Sequence, residues 1–195
     1  MRALLVFIFA VLTPGVALAH TGHGDTSGLI HGFLHPLGGL DHILAMLAVG
    51  VLAGVLGGRA LWLVPLSFVA MMVSGFALGI AGVSLPFVEM GIAVSSIVIG
   101  AAAAWGRPLP VAGAMALVGI FAIFHGHAHG AEMPATADGL AYAGGFVAAS
   151  LLLHLAGIAG TVAVSTLLGR YGRVAARLAG GVFALAGIGI LGGWL

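Results

Sequence analysis

The chain has 195 residues, of which 62% are hydrophobic and 6% are charged, and its formal net charge at pH 7 is +1. A soluble domain of this length cannot keep so much apolar surface in water, so the composition predicts a membrane protein with several spans. The low net charge offers no basic field to a nucleic-acid backbone, and the absence of cysteine excludes disulfides and thiolate metal ligands.

The N-terminus has the pattern of a cleavable signal peptide. Residues 1–19 comprise a basic start, an apolar run over 3–12, the helix-breaking pair Pro14 and Gly15, and a final Ala-Leu-Ala cleavage site. An uncleaved transmembrane helix is the alternative, but the apolar run is short for a span. We expect the mature chain to begin at His20, with its N-terminus outside the cytoplasm.

Six further apolar segments predict the fold. Each approaches the length of roughly 20 residues that crosses a hydrocarbon core, and we place them at about 37–57, 60–82, 86–105, 109–130, 138–168 and 174–195. Glycine, proline and arginine mark the boundaries between them. The sequence therefore predicts an all-α fold, a polytopic membrane bundle of six transmembrane helices forming a single domain over residues 20–195.

The arginines give an independent prediction of topology. With the mature N-terminus outside, the first, third and fifth connections are cytoplasmic, and these should carry positive charge. They hold Arg59, Arg107, Arg170 and Arg173, whereas the acidic residues Asp25, Glu89, Glu132 and Asp138 fall in the opposite connections or at the opposite helix ends. Both termini of the mature chain are therefore expected outside the cytoplasm.

The fourth apolar segment ends in a histidine-rich pattern. His125 and His129 are one helical turn apart and Glu132 is seven residues after His125, so the three positions span an arc of roughly 60° on a helix. Imidazole and carboxylate on one helix face are typical metal ligands. His127 points to the other side and is interpreted as an interfacial or supporting group.

The first apolar segment begins with a similar concentration of polar groups. Pro36 suits the first position of a helix, which makes His35 the boundary residue, and His42 lies seven residues further on the same stripe. Asp41 lies about 100° around from His42, so we predict that it orients a histidine of a neighbouring helix. Ionisable groups beside the hydrocarbon core are costly and usually mark function.

Four more residues are weaker candidates for metal binding. His20 with its free α-amine, together with His23, forms a glycine-spaced chelator that would collect metal at low concentration, although such tails are often inert. Glu89 follows Pro86 in a first helical turn, where a carboxylate also complements the helix dipole. His154 lies deeper than the other histidines and is interpreted either as a hydrogen-bonded core group or as an inner relay point.

These residues resemble a known family. The patterns His35-Pro36-x-x-Gly39-x-Asp41-His42 and His125-Gly126-x-Ala128-His129-Gly130-x-Glu132, with the weaker Pro86-x-x-Glu89 and Gly145-Phe146…Leu153-His154, are similar to the HupE/UreJ family over the whole chain. The resemblance implies a bacterial inner-membrane protein, associated with hydrogenase or urease systems, that takes up Ni²⁺ or Co²⁺ as a transported ion.

The predicted function is therefore a secondary-type permease that moves a divalent transition metal through a site made by His35, Asp41, His42, His125, His129 and Glu132. We predict no enzymatic activity, no prosthetic group and, since no P-loop is present, no ATP hydrolysis. The alternative is an intramembrane zinc hydrolase with Asp41 or Glu89 as general base, although no His-Glu-x-x-His occurs. Haem ligation by two histidines ranks last, and the sequence leaves open whether the protein forms a homo-oligomer.

Overall fold

The computed structural model describes residues 28–105, 107 and 109–194, and every regular element in these residues is helical. The helices in chain order are α1 (Gly28–Gly38), α2 (Leu40–Leu56), α3 (Ala60–Ile80), α4 (Val88–Ala104), α5 (Val111–Ala131), α6 (Gly139–Leu167) and α7 (Gly172–Leu191). A short 3-10 turn, Gly169–Tyr171, precedes α7. The all-α prediction is confirmed. The signal peptide predicted over residues 1–19 lies outside the described residues.

The predicted count of six spans is not confirmed. By length and composition, four segments of the described chain are suited to cross a membrane, namely α3, α5, α6 and α7 with its 3-10 turn. The bent pair of α1 and α2 makes a fifth if it counts as one span. Helix α4 is apolar but has only 17 residues, because its first turn begins at Val88 instead of at Pro86, after Phe87 in a left-handed conformation with φ of 60°.

The first apolar segment is not one helix, and the prediction that Pro36 begins it is wrong. Helix α1 contains Pro36, and the chain then turns by 86° at Gly39 before α2 begins. The reason is tertiary packing: Gly32 lies so close to the backbone of Tyr142 on α6 that no side chain fits between them. Contact with α6 therefore extends the helix across a proline that local preference places at a helix start.

Glycines pack the helices into three groups. Gly75 and Gly79 on α3 contact the backbone of α5, and Gly126 on α5 contacts the backbone of α3, so these two helices run in parallel with almost no side chain between them. Gly100 on α4 meets Gly180 on the antiparallel helix α7. Small residues permit this close approach in lipid, where van der Waals packing drives helix association.

The third group joins α1, α2 and α6. Gly50 lies against the backbone of His154 and Gly157, and Gly54 faces Thr161 one turn further.

The helix directions separate histidines from arginines. The bend between α1 and α2, the last turns of α5 and the start of α6 meet at one end of the bundle, which we call the histidine end. The connections that carry Arg59, Arg107 and Arg170 lie at the other end, the arginine end. Positive charge and histidines are thus at opposite ends, as the topology prediction requires.

Candidate metal-binding site

Four histidine rings lie against one another at the histidine end. His35 extends from α1, His42 from α2, and His125 and His129 from the last two turns of α5. Ring centroids are 5.0 Å apart for His35 and His129, 5.1 Å for His129 and His42, and 4.9 Å for His42 and His125. The four rings form a continuous series, which we call the histidine row.

Of the two predicted pairs of histidines, one shares a helix face and the other does not. His125 and His129 share a face of α5, as their spacing predicts, and both are fully buried. His35 and His42 do not share a stripe, because the bend at Gly39 separates their helices. Both nevertheless contact His129, since the bend turns α1 and the start of α2 toward the same part of α5.

Several nitrogens of the row are buried without a hydrogen-bond partner among the described residues. They are Nε2 of His42, Nδ1 of His125 and both ring nitrogens of His129. Buried polar atoms almost always form hydrogen bonds, because an unpaired one loses its hydration without gaining a hydrogen bond in exchange. Unpaired imidazole nitrogens on neighbouring rings are the atoms a transition-metal ion would use.

Asp41 fixes the orientation of the ring next to it. Its Oδ1 lies 3.0 Å from Nδ1 of His42 and 2.8 Å from the backbone nitrogen of the same residue. The predicted role of an orienting group agrees with this contact, but the predicted target was wrong: the carboxylate contacts the adjacent His42 and not a histidine of another helix. The short side chain of Asp41 reaches its own neighbour because it lies in the first turn of α2, beside the bend.

Ser95 orients the ring of His125 in the same way, and no local sequence pattern marks this residue. Its Oγ donates to the carbonyl of Ile92 at 2.6 Å and lies 3.0 Å from Nε2 of His125. Because the hydroxyl proton is directed to Ile92, Oγ accepts the Nε2 proton of the imidazole. The hydroxyl of the neighbouring Ser96 donates to the carbonyl of Ala93 within its own helix.

Glu132 closes the exposed side of the row. Its Oε2 lies 3.1 Å from Nε2 of His35, and the glutamate and histidine side chains are 53% and 26% exposed. Glu132 caps the end of α5, where the helix carbonyls add negative potential. The carboxylate is thus accessible to an ion in water, whereas His125 and His129 behind it are not.

The remaining candidates lie apart from the row. Glu89 is exposed in the first turn of α4, and its side chain makes no hydrogen bond or ion pair with a described residue. His127 donates from Nε2 to the carbonyl of Val83 at 2.7 Å, which ties α5 to the loop before α4. His154 is fully buried on α6, deeper in the bundle. His20 and His23 lie outside the described residues.

The side chains of the row are not arranged as a ready-made metal site. No group of three His, Asp or Glu side chains in these residues is placed so that it could hold one metal ion. The ring spacing is still that of co-ligands: a ligand nitrogen about 2 Å from an ion places its ring centroid about 3 Å away, so two rings at a tetrahedral angle have centroids about 5 Å apart. Side-chain rotation would be needed to direct three nitrogens to one point.

The fold and the site together define a multi-pass helical membrane protein with a buried row of imidazoles at one end. The family model described as HupE / UreJ protein matches residues 8–190. Protein HupE of Rhizobium leguminosarum bv. viciae is 46% identical over 185 residues, which cover 94% of each chain. No solved structure matches the chain. This chain belongs to the HupE/UreJ family, as its two histidine patterns predict.

Proposed function

We propose that the protein is a secondary-type permease that takes up Ni²⁺, with Co²⁺ as the alternative substrate, across the bacterial inner membrane. The observation that carries the proposal is the histidine row, whose unpaired nitrogens lead from an exposed carboxylate to fully buried imidazoles. A row of ligands that descends from water into a helical bundle is suited to moving an ion. Family membership supports the same conclusion.

The ligand chemistry supports a late transition metal. Imidazole nitrogen suits Ni²⁺, Co²⁺, Zn²⁺ and Cu²⁺, whereas Mg²⁺ and Ca²⁺ prefer sites made of oxygen. Affinity order does not choose among the four metals, so the assignment of nickel comes from the family resemblance. Glu132 at the exposed side attracts the cation electrostatically before the imidazoles bind it.

The placement of the ligands favours transport over permanent binding. Neighbouring rings of the row have centroids 4.9 to 5.1 Å apart, so an entering ion would bind to two nitrogens at a time and keep water as its other ligands. Weak sites in series allow an ion both to enter and to leave. A resident catalytic zinc, by contrast, needs three fixed protein ligands.

The orientation of the bundle determines the driving force. If the arginine end is cytoplasmic, according to the positive-inside rule, the histidine row opens to the outside. The membrane potential, negative inside, then favours entry of a divalent ion by about 5 kcal/mol per 100 mV. No ATP-binding pattern is needed for uptake of this kind.

The test is uptake of radioactive Ni²⁺ by proteoliposomes that contain the purified protein. We expect the wild-type protein to accumulate the ion, and His42→Ala and His129→Ala to reduce the rate about tenfold or more, because each removes a nitrogen of the row. His127→Ala is the matched control, since it removes a histidine of α5 that lies outside the row.

Competition by Co²⁺, Zn²⁺ and Cu²⁺ then ranks the substrates. Rates equal to wild type in both row variants would remove the row from the transport path. If the wild-type protein binds metal at a fixed stoichiometry and accumulates none, the permease proposal fails and the zinc-hydrolase alternative gains support.

A further inference from the structure

His154 is a buried imidazole that the packing of the bundle leaves unexplained. The residue is fully buried on α6, and neither of its ring nitrogens has a hydrogen-bond partner among the described residues. Its ring lies edge-on to Phe68 of α3, with centroids 5.1 Å apart. An apolar side chain would fill this space without the cost of two unpaired polar atoms.

Two other polar atoms lie one helical turn from this contact. Ser150 precedes His154 by one turn on α6, and Met72 follows Phe68 by one turn on α3. The hydroxyl of Ser150 donates to the sulfur of Met72 at 3.7 Å. Because α3 and α6 are antiparallel, the two contacts are successive rungs between the same helices. Residues one turn apart share a helix face, so imidazole, hydroxyl and thioether are adjacent.

This group of side chains continues the histidine row. The ring of Phe68 lies 5.7 Å from that of His125, the innermost member of the row, and 5.1 Å from that of His154. A single aromatic ring therefore separates His125 from His154. The steps from His35 to His154 are of similar length throughout, between 4.9 and 5.7 Å.

We propose that His154, Ser150 and Met72 form a second, inner binding station for the transported cation, separated from the histidine row by the Phe68 ring. This inference rests on the proposed function and adds the next position of the ion along its path. The side chain of Phe68 lies between two sets of ligands and must move aside when an ion passes.

The chemistry of the inner station differs from that of the row. The outer site combines imidazoles with a carboxylate, whereas the inner one combines an imidazole with a neutral hydroxyl and a thioether. Thioether sulfur is a soft ligand that binds late transition metals and has little affinity for Mg²⁺ or Ca²⁺. An ion that has lost most of its water would be retained there only if it accepts nitrogen and sulfur, so the inner station acts as a selectivity step.

The principal test is the variant His154→Phe in the Ni²⁺ uptake assay. Phenylalanine keeps an aromatic ring against Phe68 and removes both nitrogens, so a residue that serves only for packing would tolerate it. We expect the maximal rate to fall about tenfold while the Ni²⁺ concentration at half-maximal rate stays unchanged, because the histidine row is intact. Leu155→Phe is the matched control: it places the same ring one position along α6, on a side chain that is 57% exposed.

A second measurement does not depend on transport. In the double variant His42→Ala/His129→Ala, equilibrium binding of Ni²⁺ to the purified protein should leave one bound ion, and His154→Phe added to it should abolish that ion. X-ray absorption of the remaining Ni²⁺ should show a sulfur neighbour that Met72→Leu removes, since leucine keeps the volume without the sulfur.

The two proposals fail in different ways. Wild-type proteoliposomes that accumulate no Ni²⁺ would overturn the permease, whatever His154 does. Wild-type accumulation combined with full activity of His154→Phe would overturn the inner station alone. So would the absence of any bound ion in the double variant, or an ion without a sulfur neighbour.

Discussion

Oδ1 of Asp41 lies 3.0 Å from Nδ1 of His42, and the same oxygen lies 2.8 Å from the His42 backbone nitrogen. An ionised carboxylate only accepts hydrogen bonds, so Nδ1 carries the proton and Nε2 is left with a free lone pair. Nε2 is the nitrogen of His42 that is buried in the row without a partner. The carboxylate thereby chooses which nitrogen of His42 is available to an ion.

The first prediction concerns this choice. In Asp41→Asn the neutral amide oxygen accepts the Nδ1 proton more weakly than the carboxylate does, so the tautomer with a free lone pair on Nε2 is less favoured. We expect Ni²⁺ affinity and the rate of uptake at low Ni²⁺ to fall by about 10- to 100-fold. Asp138→Asn is the control, since Asp138 caps α6 through a bond from the Ala141 amide and asparagine caps a helix equally well. Equal losses in the two variants would contradict the tautomer argument.

The second prediction separates two adjacent serines. Ser95→Ala removes the acceptor for the Nε2 proton of His125, so the tautomer with a free Nδ1 is no longer favoured. A hydrogen bond of about 1 kcal/mol corresponds to about a fivefold loss of Ni²⁺ affinity. Ser96→Ala should leave affinity unchanged, because that hydroxyl bonds only within α4. Isothermal titration of both purified variants measures the difference, and the same affinity in both would dismiss a role for Ser95.

The third prediction concerns capture of the ion at the exposed side. Glu132→Gln removes the charge beside His35 and retains a group that forms hydrogen bonds. We expect a higher Ni²⁺ concentration at half-maximal uptake and a maximal rate close to that of wild type. Thermal stability should change by less than about 1 kcal/mol, since an ion pair this exposed contributes little. Uptake rates measured over a range of Ni²⁺ concentrations give both kinetic quantities. A lowered maximal rate with an unchanged half-maximal concentration would place Glu132 in a later step.

The fourth prediction tests the glycine packing between α2 and α6. A methyl group on Gly157 would lie 3.0 Å from Cα of Gly50 and still closer to the carbonyl of Leu47, whereas one on Gly160 would meet nothing within 4 Å. Gly157→Ala should therefore destabilise the protein by about 1–3 kcal/mol. Gly160→Ala should be neutral or stabilise it by about 0.5–1 kcal/mol through helix propensity. Thermal unfolding in detergent compares the two, and similar effects at both positions would contradict the close approach.

Hydropathy and turn residues predict most helix positions. The segments placed at about 60–82 and 109–130 correspond to Ala60–Ile80 and Val111–Ala131, since a long apolar run in lipid has no stable alternative to a helix. The bend at Gly39 could not be predicted in this way. It depends on contact between Gly32 and α6, which is more than a hundred residues away in sequence.

The candidate site shows the same division. His125 and His129 converge through helical periodicity, which is a local property. His35 joins them through the bend, and Ser95 joins through the packing of α4 beside α5, so no local pattern distinguishes Ser95 from Ser96. Residues that join the site through tertiary contacts were either not predicted from the sequence, as for Ser95, or predicted for a wrong reason, as for His35.

The ring series lies at the interface between two of the glycine-packed groups of helices. His35, His42 and His154 belong to the group of α1, α2 and α6, while His129, His125 and Phe68 belong to the α3/α5 pair. The series from His35 through His129, His42, His125 and Phe68 to His154 therefore crosses between the two groups at four of its five steps. The rings therefore alternate across the interface between these two groups of helices. A small separation of the two groups would weaken four of the five ring contacts at once, while the glycine packing within each group stays intact.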